Sequence, residues 1–288
     1  EGIGAYVDTT GDYLAIISPM PGSPAEKAGL KADDQVIAVD KEDMTGIDGE
    51  LVLKKILGPA GTTVVLTIRR EGSEDPFDVS IVRSKISLPS VEGKMLENNI
   101  AYVRLATFGE KTDTEFRDVL QPLLDQKPAG LILDLRYNGG GFLSTAIDIV
   151  SEFIPADKVV LYEQFGNGDM KDYLSKGKGI AGDIPLVVLV NEGSASASEI
   201  TAGAIQDYKR GTLIGVTTYG KGSVQNWVPL SNDQGAVRVT IARWLTPEKR
   251  QINKVGLEPD VKVEITDDDI KNEHDSQLEA AVNYLLGK

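Results

Sequence analysis

A chain of 288 residues, 41% apolar and 6% aromatic, is long enough for one large or two ordinary domains and apolar enough for a real core. Its formal charge of −14 argues against nucleic acid or an anionic membrane surface as a partner. The absence of cysteine excludes disulfides, thiolate nucleophiles and cysteine metal sites.

From the N-terminus, "GAYVDTT" and "YLAIISPM" read as strands around the turn Gly11-Asp12. "GSPAEKAGL" has a serine cap, a proline at the next position and a closing glycine, the pattern of a short helix. "DQVIAVD" alternates as a strand does. "GELVLKKILG" is a second helix closed by Gly58-Pro59, and "TTVVLTIRREG" with "PFDVSIVR" makes a closing hairpin. Residues 1–85 therefore form one small domain of short strands and two helices, with a boundary near Ser84–Pro89. No signal peptide is recognisable, and the abrupt start at "EGIGAYV" suggests a chain continuing from upstream.

Residues 86–266 alternate strands and helices. "IAYVRLATF", "AGLILDLR", "KVVLYEQF" and "IPLVVLVN" are strands; "DTEFRDVLQPLLDQ", "FLSTAIDIVSEFI" and "SEITAGAIQDYK" are helices. "GTLIGVTT", "SVQNWVPL" and "GAVRVTIARWLT" follow as strands. This order predicts β-α-β crossovers and a largely parallel sheet. Residues 267–288 form an acidic helical tail that packs on or extends this core. No run approaches the roughly 18 apolar residues of a membrane span.

Two loops follow buried strands and precede helices: "RYNGGGF" (136–142) and "NEGSASAS" (191–198). In α/β folds such turns carry the active site. The glycines are compatible with a tight turn, or with backbone N–H groups aimed at a ligand. They do not match a dinucleotide fingerprint. In the second loop, Ser196 and Glu199 have capping-box spacing, which would explain the serine without catalysis. Yet Ser196 lies between Ala195 and Ala197, at a helix start whose first N–H groups are free. A nucleophile can be displayed in the same way, beside donors suited to an oxyanion.

A serine nucleophile needs a base. His274, the only histidine, belongs to the acidic tail. Lys221, between two glycines in "TYGKGSVQ", is the alternative. At a reference pKa of about 10.4, roughly one lysine in 2,500 is neutral at pH 7. Burial lowers such values by up to about 3–5 units, and a three-unit drop makes about a quarter neutral. A base at this position is therefore expected in an apolar site. Gln225, four residues on, would share a face with Lys221 in a regular strand and could orient it.

Taken together, "GSASASEITAGAIQDYKR", "GVTTYGKGSVQ", "LDLRYNGGGF", "GIGAYV" and "SPAEKAGL" resemble the C-terminal processing peptidases, the family of the tail-specific proteases, over nearly the whole chain. The resemblance implies an α/β, crotonase-like protease core with an N-terminal PDZ domain. It implies Ser196 as nucleophile, Lys221 as base and Gln225 as the base's partner. It places oxyanion donors at Ala197 and at Gly140 or Gly141, and a carboxylate-binding loop at Gly2, Ile3, Gly4 and Ala5. The implied activity is a serine endopeptidase that cuts proteins near apolar C-termini, outside the cytoplasm. No metal or other cofactor is implied, and homo-oligomers could form through segments outside this chain. Two positions depart from the family pattern: Asp33 replaces a usual glycine in "GLKADDQV", and Leu57 stands where many members have arginine. A non-catalytic protein that binds tails or ligands on the same scaffold is the competing expectation; acyl-CoA chemistry on the core would leave the Ser-Lys pair unexplained.

Overall fold

The computed structural model describes residues 1–86, 89–230 and 235–287, the side chains of residues 226, 227 and 238 excepted. The chain divides into two compact units, Glu1–Leu88 and Pro89–Lys288. Residues 87 and 88, inside the expected boundary, lie outside the described residues.

The first unit contains β1 (Ala5–Asp8), β2 (Leu14–Pro19), α1 (Pro24–Lys27), β3 (Gln35–Val39), β4 (Glu42–Asp43), α2 (Gly49–Ile56), β5 (Thr63–Arg69) and β6 (Phe77–Val82). The strands run β1-β2-β3-β5-β6, all antiparallel, with the short β4 on β3. Alternation along β5 buries Val64, Leu66 and Ile68 against Val52 and Ile56 of α2. Each helix starts on a side-chain cap, the first as the sequence predicts: Ser23 Oγ accepts the Glu26 N–H at 3.1 Å and Asp48 Oδ1 accepts the Glu50 N–H at 3.0 Å. The far end of α2 is closed by Arg83, which is buried and donates from Nε to the Ile56 carbonyl at 2.7 Å. Because β1 is the sheet edge, its free side and α2 enclose an apolar cavity of about 380 Å³.

The second unit is built on a six-stranded sheet. In chain order come β7 (Val91–Leu96), β8 (Ile100–Leu105), α3 (Thr112–Leu124), β9 (Gly130–Asp134), α4 (Leu143–Ser151), β10 (Val159–Phe165), β11 (Met170–Leu174), β12 (Leu186–Val190), α5 (Ala197–Asp207) and β13 (Thr212–Gly215). Then follow β14 (Ser223–Pro229), β15 (Ala236–Leu245), β16 (Val261–Lys262), α6 (Asp267–Lys271) and α7 (Ser276–Leu285). The main sheet is β16-β13-β12-β9-β8-β7, parallel except at the β7–β8 edge. β9 and β12 are buried throughout, as their unbroken apolar runs predict. Leu131, Leu133, Val188 and Val190 face α3, α4 and α5, while Ile132, Val187 and Leu189 face α7.

The largely parallel sheet expected for this region is only part of it. β10, β14 and β15 do not join the main sheet; with β11 they form a separate antiparallel sheet, ordered β11-β10-β15-β14. Alternation along these segments predicts strands but not partners. β11 and β7 escape sequence reading because most of their residues are exposed.

Candidate active site

The two glycine- and serine-rich loops emerge from the carboxyl ends of adjacent parallel strands, β9 and β12, and meet. Asn138, fully buried, fastens them. Its Nδ2 donates to the Leu105 carbonyl at 2.6 Å and its Oδ1 accepts the Gly140 N–H at 2.9 Å. Its own carbonyl accepts the Ala195 N–H at 3.0 Å and the Ser198 hydroxyl at 2.8 Å. Gly140, at φ 100, runs so close to the serine loop that a Cβ there would lie 2.7 Å from the Ser196 Cβ and 2.9 Å from the Ala197 nitrogen. Only glycine permits this approach.

The three serines are not equivalent. Ser194 Oγ donates to the Leu135 carbonyl at 2.8 Å and Ser198 Oγ to the Asn138 carbonyl, so both are staples between loops. Ser196 has neither bond. It is the residue before α5 and takes φ 60 and ψ −115, an unfavourable backbone for a residue with a Cβ. A sharp strand-to-helix turn of this kind can present a nucleophile, and here Ser196 itself is 7% exposed. The helix also begins at Ala197, whose N–H points out of the first turn; the N–H groups of Ala197 and Gly141 donate to no acceptor among the described residues. The Gly140 N–H, by contrast, is taken by Asn138.

Glu199 completes the capping box on the carboxylate side, accepting the Ser196 N–H at 2.9 Å; the hydroxyl side is too loose for a hydrogen bond. Its further contacts are the larger finding. Fully buried, Glu199 also accepts the Thr218 hydroxyl at 2.6 Å, the Gly220 N–H at 2.7 Å and the Lys221 N–H at 2.8 Å. One carboxylate thus ties the serine's turn to the lysine's loop. Sequence reading noticed Glu199 only for its spacing from Ser196, because its other partners lie about twenty residues on. The Asn before the glycine run was the one available signal for Asn138.

Two expectations about the lysine fail. Lys221 is exposed, not buried in an apolar site: its flanking glycines, Gly220 and Gly222, pack against the backbone of residues 252–256 and leave the side chain on the outside. Gln225 does not lie on a regular strand with Lys221. β14 begins only at Ser223 and bulges between Val224 and Gln225, which breaks the two-residue alternation. His274 sits between α6 and α7, its Nε2 3.1 Å from Glu279 Oε2 and 4.0 Å from Asp269 Oδ1.

A partly buried ion group lies at the end of β9, ahead of the glycine loop. Arg136 donates to both oxygens of Asp134 and bidentately to Asp275 at 2.8 Å, where Asp275 caps α7. Burial opposes the Arg136 charge, but the two carboxylates more than restore it and raise its pKa. Tyr102 donates to Asp134 at 2.7 Å, and burial beside that carboxylate pushes the phenol up. In the first unit, Ile3 and Ala5 of the loop–β1 segment line the apolar cavity together with Gly2 and Gly4. Gly4, at φ 76, abuts Ser23 and has no room for a Cβ.

A two-domain protein with a mixed α/β core, paired loops at the ends of parallel strands and a small antiparallel domain with a groove is the class this geometry defines. The chain belongs to peptidase family S41, whose model matches residues 99–263; a PDZ domain model matches residues 16–70. It is 37% identical to a carboxyl-terminal-processing protease of Synechocystis, over all of this chain and 69% of that one. It is 37% identical to a carboxy-terminal-processing protease of Bartonella bacilliformis and 39% identical to CtpA of Bacillus subtilis. These matches take in 91% and 93% of this chain but only 61% and 57% of those proteins. Among solved structures, a photosystem II D1 C-terminal processing protease aligns with a TM-score of 0.59 at 34% identity, over 91% of this chain and 72% of that one.

Proposed function

We propose that this chain is the catalytic and PDZ portion of a serine endopeptidase that cuts proteins near their C-termini, with Ser196 as nucleophile and Lys221 as general base. The observation that carries the proposal is the strained Ser196 turn, tied through Glu199 to the loop of Lys221 and faced by the glycine loop. The names of the relatives support the same reading.

In this mechanism a bound substrate covers Lys221 and so favours its neutral form, and Nζ takes the Ser196 hydroxyl proton as Oγ attacks the scissile carbonyl carbon. The oxyanion that develops is stabilised by the N–H groups of Ala197 and Gly141, which are free to donate. Lys221 then returns the proton to the departing amine, leaving an acyl-Ser196 ester. Water attacks that ester and gives a proton to Lys221, which passes it to Ser196 Oγ as the C–Oγ bond breaks and the new C-terminal carboxyl product leaves. Gln225 is the proposed side-chain partner of Lys221, although its position on the bulge requires a bent approach. The first unit would take the substrate's C-terminal tail as an added strand on β1, with the terminal carboxylate at Gly2, Ile3, Gly4 and Ala5. The family resemblance supports an extracytoplasmic setting; no helix among the described residues is long and apolar enough to cross a membrane.

The exposed Lys221 is the observation that favours the rival, a tail-binding protein without hydrolysis. Ser196→Ala and Lys221→Ala separate the two. Each should reduce cleavage of an unfolded protein with an apolar C-terminus at least about a thousandfold, with unchanged circular dichroism. Full activity in either variant would eliminate the dyad.

A further inference from the structure

Two large apolar side chains stand in solvent beside the candidate catalytic groups. Phe142, 52% exposed, directly follows Gly141, and Tyr219, 67% exposed, is two residues before Lys221. Neither is loosely held at its backbone. The Phe142 N–H donates to the Phe108 carbonyl at 2.7 Å, and Phe142 is the residue before α4. The Tyr219 N–H donates to the carbonyl of Ser194 at 3.0 Å, two residues before the nucleophile. Val255, 63% exposed, extends the second position: the N–H of Lys254 beside it donates to the Gly220 carbonyl at 2.8 Å. Rigid backbone with exposed apolar side chains is an arrangement suited to receiving something, since folding gains nothing from an aromatic ring left in water.

Their placement is also selective. Phe142 belongs to the loop that approaches Ser196 from β9, and Tyr219 to the loop clamped to Ser196 through Glu199. Tyr137, equally exposed in the glycine loop, is different. It borders a cavity with Glu192, Glu264 and Ile265 and a second one with Arg136 and Asp275, on the side of the sheet covered by α7. Phe142 and Tyr219 therefore lie on the two loops that bring the candidate oxyanion donor and the candidate base to the serine.

We infer that Phe142 and Tyr219, the latter together with Val255, are specificity-determining residues that pack against apolar substrate side chains flanking the scissile bond. The inference rests on the serine peptidase reading and deepens it: it predicts preference at the cut itself, separate from any preference at the substrate's terminus. Covering an aromatic ring with an apolar side chain removes both from water, and one well-filled apolar subsite commonly changes kcat/KM by about 10- to 200-fold.

The test uses the whole chain. Labelling of wild-type Ser196 by a fluorophosphonate, read by intact mass and peptide mapping, first establishes the nucleophile. Then kcat/KM is measured for two peptides that share one C-terminal tail and differ only at the residues flanking the cut, leucine in one and serine in the other. In the wild type the leucine peptide should be preferred at least about tenfold. In Phe142→Ser and in Tyr219→Ser that ratio should fall by about tenfold, and Tyr219→Phe should restore it because the ring, not the hydroxyl, makes the contact. A labelled enzyme whose ratio is the same in the wild type and both serine variants overturns this inference and leaves the dyad standing. A wild type that neither labels nor cleaves overturns both.

Discussion

A left-handed backbone costs a residue with a Cβ about 1–2 kcal/mol, and two such residues here have opposite meanings. Ser196, at φ 60, is held by its N–H bond to Glu199, which also fastens the Lys221 loop, and the proposed mechanism uses its hydroxyl. Asp33, at φ 65, occupies the turn where family members usually have glycine, and its N–H donates to the Ile16 carbonyl at 2.8 Å. The fold keeps the turn and accepts the strain. Asp33→Gly should therefore stabilise the first unit by about 0.5–1 kcal/mol, the relief of strain exceeding the added freedom of the unfolded glycine; a higher urea midpoint with unchanged slope checks it. Glu199 is the residue that ties the Ser196 turn to the Lys221 loop. Glu199→Gln keeps the volume but turns an –NH2 toward a site filled by the donors of Ser196, Thr218, Gly220 and Lys221. The expected loss is about 2–4 kcal/mol of stability. Activity should fall by at least about a hundredfold even at temperatures where the variant remains folded, because Lys221 no longer has a fixed loop. Normal kcat in a folded Glu199→Gln protein would show that the clamp is structural only.

Among the elements, α7 shows how the acidic tail is recruited. Asp275 caps it by accepting the Leu278 N–H at 2.9 Å while holding Arg136 at the end of β9. Burial pushes the Asp275 carboxyl up, but hydrogen bonds from Arg136 and the Leu278 N–H outweigh burial and hold it below the ordinary carboxylate value. Its contribution to stability is therefore full well above the unfolded value of about 3.9 and is lost as pH falls through the lowered folded value. Asp275→Asn should cost roughly 2 kcal/mol at pH 7, below the range for fully buried pairs because Asp275 is 39% exposed and screened by water. The difference in Tm between variant and wild type should begin to narrow as pH falls below about 3.9 and close only below the lowered folded value. A gap unchanged between pH 7 and pH 3 would mean that the cap acts without its charge. None of this is legible in "DDDIKNEHD", because the partner, Arg136, is 139 residues away in sequence. What was legible follows from local physics. The unbroken apolar runs of β9 and β12 announce buried strands, and Ser23 with Pro24 announces a helix start. The pairing of β10 with β15, the bulge before Gln225 and the clamp at Glu199 depend on contacts across the fold, which periodicity does not encode. Ser196 and Lys221 are proposed as a pair because weak local signals coincide with a family resemblance.

At the scale of the whole molecule, each unit closes its own core. The fifteen buried apolar residues of the first core all lie within residues 1–88, from Ile3 to Ile81. A chain of this length buries enough surface to fold alone, and Arg70 with Asp34 adds a buried pair at 2.6 Å inside the same unit. Residues 1–88 expressed separately should give one cooperative thermal transition, and a non-cooperative melt would show that the core needs the rest of the chain. In the intact protein, the cavity beside β1 offers apolar walls from Leu53, Ile56 and Leu57, with Glu1 and Lys85 as its charged residues. Leu57 adds no charge to this cavity, so in the proposed binding mode the pull on a substrate's terminal carboxylate comes from backbone N–H groups of the Gly2–Ala5 loop, with Lys85 nearby. Affinity should consequently depend strongly on the free carboxylate and weakly on salt. A fluorescent peptide ending in apolar residues should bind the Ser196→Ala protein at least about tenfold more tightly than its C-terminally amidated counterpart, since hydrogen bonds to a charged acceptor contribute about 1.5–3 kcal/mol each. Lys85→Ala should weaken the free-acid peptide only about two- to fivefold, the effect of one exposed charge. Equal affinity for acid and amide would remove the carboxylate loop from tail recognition and leave the apolar walls as the only discriminating surface of this unit.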